Sequence, residues 1–403
     1  MILLRMMSGN IVVYSGACPC VPSCYTRRMP NRRTFLKAAA STLALQRAAS
    51  PQPPPAAPES RVFLAGDGIH LSTAEYAQLL ITLTAGDRKP DNYLKGGPVE
   101  ELESRFAKLL GKERGLFFPT GTLANHMAVR LLAGERRHVL VQEESHLYRD
   151  EGDCAQALSG LNLVPLAPGR ATIKASEIVE AADSAGSPPY PVPVGAISIE
   201  SPVRRMHGQA FDFEEMKKIS AFAREKKIGL HLDGARMYLA SAYTGIAPAA
   251  YSALFDTVYV SLYKYFNAPF GAVLTGPAQL IDAAAVLRHQ FGGGLLHAWQ
   301  SAAVALHYLD GFEERYQRAV RSGDELLRHL EQKGIRVHRM EAGTNVFQVD
   351  LPSTPGAEFQ KRLADRGIMI GRPAQGPALI QVNETILRRP PEEIVEELVK
   401  ALG

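Results

Sequence analysis

Short apolar runs alternate with segments of helical spacing along the chain from about Pro98 onward. Apolar residues recur every three or four positions between Pro98 and Leu110, and Gly111 follows them, so the pattern predicts a helix that ends there. Strands are predicted for the apolar runs at 139–141, 163–166, 196–199, 229–232, 257–262 and 272–274. Polar helices such as 213–226 separate these runs. The alternation indicates an α/β fold with a largely parallel sheet that is covered on both faces.

A second pattern follows Gly294, where long helical segments at 297–309 and 313–332 lead to a small βα unit at 336–403. We therefore expect a large domain over residues 59–305 and a smaller C-terminal domain over residues 306–403. The chain has 403 residues, of which 46% are hydrophobic and 21% charged, so its composition is that of a globular protein with a sizeable core.

The net charge is only +4, and the basic residues are spread along the chain. Proteins that bind nucleic acid usually carry a basic stripe or patch, so we do not expect a nucleic-acid partner. Three of the four cysteines, Cys18, Cys20 and Cys24, lie near the start and leave Cys154 alone in the body of the chain. The body therefore cannot form an internal disulfide.

Residues 31–37, Asn-Arg-Arg-Thr-Phe-Leu-Lys, resemble a twin-arginine export signal. An apolar segment at 38–45 follows, and the proline-rich stretch at 50–58 is typical of a linker. We therefore predict a signal and linker over residues 1–58, with Met29 as an alternative start, a periplasmic or exported location, and no membrane attachment of the mature form. A basic tail with a chance arginine pair is the alternative, and it would leave the protein in the cytoplasm. A metal site at the early cysteines is a further alternative for this region.

Thr120, Gly121 and Thr122 lie directly before a segment of helical spacing. Free backbone N–H groups and the helix dipole attract an anion to a helix start, and a glycine allows close approach to a phosphate. The stretch has neither the Gly-Lys-Thr ending of a P-loop nor the three glycines of a dinucleotide-binding fingerprint. ATP and NAD are therefore disfavoured as its ligands. A plain N-cap formed by Thr120 or Thr122 is the alternative.

Asp233 and Arg236 follow an apolar run, at the position where an open parallel sheet places its ligands. A carboxylate there can pair with a protonated pyridine nitrogen, and the planar fork of an arginine suits a substrate carboxylate. The alternative is an N-capping aspartate followed by a surface arginine.

Lys264 lies among aromatic and apolar neighbours at the end of the next predicted strand. Desolvation disfavours the charged form of a lysine, so its neutral amine can form a Schiff base with an aldehyde. A lysine whose stem is buried while its amine reaches solvent is the alternative. His146 follows the run at 139–141 and can stack on an aromatic cofactor and exchange protons, although a hydrogen-bonded loop histidine is the simpler alternative.

In their order and spacing, these motifs resemble the threonine aldolase and aromatic amino acid β-eliminating lyase family, whose members are pyridoxal 5'-phosphate (PLP) enzymes of fold type I. The similarity runs from about Gly66 to Gly294. Its most distinctive parts are 120–122 with Asn125, 146–151, 233–236, Lys264 with 268–271, and the triple glycine at 292–294. The resemblance implies a large PLP-binding domain, with a mostly parallel seven-stranded sheet, and a small C-terminal α/β domain.

The resemblance also assigns roles at the cofactor. The implied PLP-binding residues are Thr120, Gly121, Thr122, His146, Asp233 and Lys264. Lys264 would form the Schiff base, Asp233 would hold the pyridine nitrogen, His146 would stack on the ring, and Gly121 with Thr122 would bind the phosphate.

The implied reaction is retro-aldol cleavage of a threonine-like β-hydroxy-α-amino acid to glycine and an aldehyde. Arg236 would grip the carboxylate of the amino acid substrate. His146, supported by Glu151, is the candidate for the base that takes the proton of the β-hydroxyl. The resemblance further implies a homodimer or homotetramer and no metal.

Two stretches near the implied site depart from the family pattern. Residues 66–68 read Gly-Asp-Gly, where serine and threonine usually flank the aspartate, so a hydroxyl contact to the carboxylate is lost. Residues 200–203 read Glu-Ser-Pro-Val in place of Glu-Asn-Thr-His, which removes a second histidine unless His207 compensates.

Two arginines of the family are also replaced. Leu296 stands where an arginine is expected to reach a neighbouring subunit, and residues 379–383 lack the arginine that completes the carboxylate clamp. Asp67 and Arg372 therefore join Arg236 as candidate substrate-binding residues. Because these changes affect the substrate side, β-elimination or transamination on the same scaffold is an alternative function. A non-catalytic exported binding protein is a second alternative, which the intact PLP residues disfavour.

Overall fold

The computed structural model describes residues 4–7, 10–13, 60–86, 89–351, 356–371 and 377–402. The chain divides into two compact units, Met1–Pro58 and Glu59–Gly403. In the first unit, strands β1 (Leu4–Met7) and β2 (Asn10–Val13) pair antiparallel. The predicted export signal, the linker and the three early cysteines lie outside the described residues.

The second unit alternates strands and helices along most of its length. Its strands are β3 (Val62–Leu64), β4 (Arg114–Phe118), β5 (His138–Gln142), β6 (Asn162–Leu166), β7 (Val194–Glu200), β8 (Gly229–Asp233), β9 (Thr257–Ser261), β10 (Ala272–Gly276), β11 (Arg336–His338), β12 (Val346–Asp350), β13 (Ile368–Ile370) and β14 (Ala378–Gln381). Its helices are α1 (Thr73–Leu83), α2 (Gly97–Leu109), α3 (Gly121–Ala133), α4 (His146–Arg149), α5 (Cys154–Ser159), α6 (Ala175–Ala185), α7 (Phe213–Lys226), α8 (Met237–Thr244), α9 (Pro248–Ser252), α10 (Ala278–Gln290), α11 (Trp299–Leu309), α12 (Phe312–Gln332), α13 (Ala357–Asp365) and α14 (Pro391–Leu402).

The main sheet has seven strands in the order β4-β10-β9-β8-β7-β5-β6. Only β10 runs against its neighbours, because it pairs antiparallel with both β4 and β9 while the other pairs are parallel. Every residue of β7, β9 and β10 is buried, as expected for strands covered on both faces. The predicted α/β fold with a mostly parallel sheet is confirmed. Each predicted run coincides with a strand, whereas β4 was missed because only its last three residues are buried.

Aromatic packing anchors the segment that follows β9. Phe266 lies edge-on to Phe106 of α2, Tyr238 of α8 and Phe312 of α12, with ring centroids 5.7, 5.3 and 5.1 Å apart. Such pairs add about 0.5–1.5 kcal/mol each beyond the area that they bury. The chain around residue 264 is therefore held by rings from three helices.

The C-terminal part forms an antiparallel sheet from β11, β12 and β14. Strand β13 instead pairs parallel with β3, which is the first strand of the second unit. The beginning of that unit is therefore hydrogen-bonded to its C-terminal part. The division at residues 305 and 306 stays a prediction. Helix α11 begins at Trp299 and not at residue 297, because the backbone N–H of Ala298 donates to Oδ1 of Asp91 at 2.8 Å and fixes a non-helical N-cap. Within the described ranges, no helix has both the length and the apolar character required to cross a bilayer.

Candidate active site

A cavity of about 380 Å³ opens at the carboxyl ends of the parallel strands. The predicted residues that line it are Thr120, Gly121, Thr122, His146, Asp233, Arg236 and Lys264. They come from the ends of β4, β5, β8 and β9, where a parallel sheet gathers side chains from distant parts of the chain. Asp67 contacts Arg236, whereas Arg372 lies outside the described residues.

The start of α3 forms one end of the cavity. Thr120 is the N-cap, and its Oγ1 accepts a hydrogen bond from the N–H of Leu123 at 3.2 Å. The N-cap interpretation is therefore correct for Thr120, and the N–H groups of Gly121 and Thr122 belong to the first helical turn. An added Cβ at Gly121 would meet the hydroxyl of Tyr259 on β9. The glycine thus lets the helix start lie against the sheet.

Lys264 is the one lysine among the residues that line this cavity. Its Nζ lies 4.7 Å from the ring centroid of Tyr263 and 3.4 Å from the Tyr263 hydroxyl. The next two residues, Tyr265 and Phe266, are almost completely buried, which fixes the backbone beside the amine. Lys264 itself is only half-buried, because its side chain faces the open cavity. The aromatic and apolar residues beside it in the sequence had predicted a more strongly desolvated lysine.

Asp233 ends β8 and is buried. Its Oδ1 accepts from the N–H of Ala235 at 3.1 Å, and its Oδ2 accepts from Nδ2 of Asn125 at 2.9 Å. The N-cap of α8 is Arg236, and the Arg236 side chain is only 14% exposed. The interpretation of this stretch as an N-capping aspartate with a surface arginine is therefore wrong.

His146 lines the cavity and pairs with Glu151, which is buried and does not line it. Nδ1 of His146 lies 2.9 Å from Oε1 of Glu151, whose side chain is fully buried. The hydrogen bond to Glu151 raises the pKa of His146, although burial opposes it, and burial raises the pKa of Glu151. Because Glu151 takes up Nδ1, the other ring nitrogen, Nε2, is the one that can exchange protons with a ligand.

Arg236 and Asp67 form a buried ion pair. Nε of Arg236 donates to Oδ2 of Asp67 at 2.8 Å, and the two side chains are 14% and 7% exposed. A carboxylate accepts hydrogen bonds and repels a second carboxylate, so Asp67 cannot itself hold a substrate carboxylate. It orients Arg236 instead, and a substrate carboxylate would meet the two Nη groups of that fork.

Gly68 occupies a position where no larger residue fits. An added Cβ would overlap the carbonyl oxygen of Lys264 and lie 2.5 Å from Oδ1 of Asn267. We expect Gly68→Ala to lower the free energy of unfolding by about 1–3 kcal/mol, as overpacking does, and to displace Lys264. Urea denaturation measures the change. Gly186→Ala, where the nearest atom lies at 3.5 Å, is the control, and equal stabilities of the two variants would contradict this prediction.

Comparison with known proteins identifies the family. The model of the beta-eliminating lyase family matches residues 64–351, which is most of the second unit. The low-specificity L-threonine aldolase of Eremothecium gossypii is 31% identical over 287 residues, covering 69% of this chain and 72% of that protein.

The chain belongs to the beta-eliminating lyase family.

Two solved structures support the fold of this lyase. Leishmania major threonine aldolase has a TM-score of 0.66 at 18% identity and covers 85% of this chain and 100% of that chain. A variant of serine palmitoyltransferase from S. paucimobilis, solved with a bound PLP-myriocin aldimine, has a TM-score of 0.63 at 15% identity and covers 92% of this chain and 98% of that chain. At these identities the likeness concerns the fold alone, and it confirms the predicted fold type I architecture.

Three residues discussed with the departures from the family pattern, Val203, His207 and Leu296, lie outside the cavity lining. Val203, at the position of the second histidine, is fully buried and pairs with Gln209. His207 is not among the residues that line the cavity, so it does not replace that histidine. Leu296 is 53% exposed and also lies outside the lining.

The sequence pattern missed Glu200, which lines the cavity at the end of β7. Its Oε2 accepts from the N–H of His146 at 2.5 Å and its Oε1 from the N–H of Arg204 at 2.9 Å, so it joins two segments of the wall. Burial, reinforced by the charge of Asp233, raises the pKa of Glu200 to about 7. The position of Glu200 at the end of a predicted strand is the sequence signal that could have identified it as a site residue.

Asp150, Tyr259 and Tyr263 were missed as lining residues as well. No group of three His, Cys, Asp or Glu side chains in the described ranges is arranged to hold a metal ion.

Proposed function

We propose that this lyase uses PLP to cleave a threonine-like β-hydroxy-α-amino acid into glycine and an aldehyde. The observation that carries the proposal is one cavity lined by Lys264, Asp233 and His146, whose ring is hydrogen-bonded to the buried Glu151. The similarity to a threonine aldolase over most of both chains supports the choice of substrate class.

The residues present fit PLP. The cavity of about 380 Å³ is within the usual range of about 300–1,000 Å³ for small-molecule sites. Gly121 and Thr122, at the start of α3, would hold the phosphate, and the carboxylate of Asp233 would face the pyridine nitrogen. Lys264 would hold the aldehyde carbon through its amine. When bound, PLP supplies an electron sink for the electrons of a broken Cα–Cβ bond.

The chain's own groups would place the substrate and move its protons. The Nη groups of Arg236 would bind the substrate carboxylate, while Asp67 keeps the guanidinium in place. Nε2 of His146 would accept the proton of the β-hydroxyl, directly or through a water, and Glu151 would stabilise the resulting charge through Nδ1. The amine of Lys264, which lines the same cavity, would serve as a second proton carrier.

His146→Phe tests the base. We expect this variant to lose about 100-fold to 10⁴-fold in the rate of cleavage, the usual contribution of a general base, while it retains bound PLP. Only the neutral form of His146 can accept a proton, so wild-type activity should be full above the pKa of His146 and fall as the pH drops through it. Because that pKa is raised above the ordinary value of about 6.5, the fall should begin closer to neutrality. An unchanged cleavage rate in His146→Phe would remove this role.

Product analysis tests the proposed reaction. Purified protein with added PLP is incubated separately with threonine and allo-threonine, and glycine and acetaldehyde are quantified. Equal amounts of both products support the proposal. Release of a keto acid together with ammonia, from these substrates or from sulfur-bearing or aromatic amino acids, would support β-elimination instead, and a keto acid without ammonia would support transamination. The ratio of the two threonine rates reports the stereochemical preference at Cβ.

We also propose that the protein is exported and that it acts as a homodimer or homotetramer. The twin-arginine motif at 31–37 supports the first proposal. Because a twin-arginine route carries folded proteins, PLP would be bound before export. Cell fractionation and light scattering of the purified protein test the two proposals separately.

A further inference from the structure

Asn125 occupies the centre of a buried hydrogen-bond network behind the cavity. It lies in α3, one turn beyond the Thr120–Thr122 motif, and is 1% exposed. Its Nδ2 donates to Oε1 of Glu151 at 3.0 Å and to Oδ2 of Asp233 at 2.9 Å. One amide thus bridges the carboxylate that supports His146 and the carboxylate assigned to the pyridine nitrogen.

The orientation of this amide is determined by its partners. Carboxylate oxygens only accept hydrogen bonds, so the NH₂ group must face Glu151 and Asp233. The opposite atom, Oδ1, lies 3.0 Å from Nε2 of His231 and must accept a proton from it. Nδ1 of His231 then accepts from the hydroxyl of Thr257 at 2.9 Å. Burial lowers the pKa of His231 to about 4, so this histidine stays neutral and holds a single tautomer.

Glu151 depends on the network for its remaining contacts. Its Oε1 receives both Asn125 and Nδ1 of His146, and its Oε2 lies 3.7 Å from Sγ of Cys154. Without Asn125, the buried carboxylates of Glu151 and Asp233 would each lose a donor. A buried carboxylate that loses a hydrogen-bond donor binds a proton more strongly. The His146–Glu151 pair contains such a carboxylate, so the pair would also hold its proton more strongly.

We propose that Asn125 is a positioning residue that couples the two halves of the active site, by holding Asp233 and Glu151 with one amide. This proposal rests on the proposed function, since it assigns Asp233 to the cofactor and His146 to the substrate. His231 and Thr257 complete the device by fixing which end of the amide faces the carboxylates.

The test follows the titration of His146 in the full-length protein. The charged groups around His146 are Glu151, Asp233 and Glu200, and Asp150, Arg236 and Lys264 line the same cavity. The protein is labelled with ¹³C-histidine and titrated by NMR without and with PLP, and the His146→Phe variant identifies the resonance. Asn125→Ala removes the amide, and Asn125→Asp keeps its size while it adds a third acidic group.

In both variants we expect the titration midpoint of His146 to rise by about one pH unit and kcat to fall about 10-fold to 100-fold, as expected for the loss of a hydrogen bond to a charged group. Asn162→Asp is the matched control, because the Asn162 amide is exposed and contacts His138 outside the cavity, and it should leave both values unchanged. A His146 midpoint equal to that of the wild type in folded Asn125→Ala and Asn125→Asp overturns the proposal, even if kcat falls. The titration needs no turnover, so a protein that fails to cleave threonine contradicts the proposed function and still decides the coupling.

Discussion

Replacing Lys264 with alanine is expected to abolish both the yellow colour of the PLP-loaded protein and its cleavage activity. Lys264 is the one amine among the cavity-lining residues, so no other lysine there can take over the bond to the cofactor aldehyde. We expect a loss of cleavage rate on the order of 10³-fold or more, because covalent attachment and the proton transfers of the amine are lost together. Visible absorbance and a glycine-release assay on the same sample measure the two effects.

Lys112→Ala provides the matched control for this experiment. Lys112 is also half-buried, but its Nζ donates to the carbonyl of Phe255, at the end of the sheet opposite the cavity. This variant should keep its colour and its specific activity. A Lys264→Ala protein that keeps the absorbance of the wild type would show that another residue holds PLP.

Asp233→Asn is expected to have the second largest effect, a fall in cleavage rate of about 100-fold to 1,000-fold. The negative charge that keeps a pyridine nitrogen protonated is removed, and pairing of this kind is worth about 1–3 pK units. The amide also has one oxygen where the carboxylate has two. In the wild type, the N–H of Ala235 and Nδ2 of Asn125 donate to different oxygens of the Asp233 carboxylate. The single oxygen of the amide in the variant therefore cannot keep both hydrogen bonds.

Kinetics and the spectrum of the PLP-loaded Asp233→Asn protein measure this effect. Asp282→Asn is the control, because Asp282 is 59% exposed and pairs with Arg114 on the surface. An Asp233→Asn variant with the turnover and spectrum of the wild type would show that the pyridine nitrogen lies elsewhere.

Much of the fold could be predicted because burial on both faces leaves a simple pattern. The runs at 257–262 and 272–274 are mostly apolar and coincide with strands β9 and β10, in which every residue is buried. The direction of β10 could not be predicted, since nothing in a short apolar run distinguishes a parallel from an antiparallel neighbour. The pairing of β3 with β13 was equally inaccessible, because it joins residues about 300 positions apart.

The candidate site shows the same division between local and long-range information. Lys264, Asp233 and His146 could be found because each lies at or shortly after the end of a strand, and the strand ends of a parallel sheet converge. The hydrogen-bond partners of the site residues, by contrast, depend on contacts between distant parts of the chain. The ion pair between Asp67 and Arg236, for example, joins residues that are far apart in the sequence, so the orienting contact of Asp67 could not be predicted. The bridging role of Asn125 was hidden for the same reason, since Asp233 lies 108 positions away.

The bond between PLP and Lys264 can be tested directly by reduction with borohydride, proteolysis and mass spectrometry of the PLP-loaded protein. We expect the pyridoxyl group on the peptide that contains Lys264, and we expect Lys112 to be unmodified. A pyridoxyl group on another lysine, with Lys264 recovered unmodified from a fully loaded sample, would contradict this expectation.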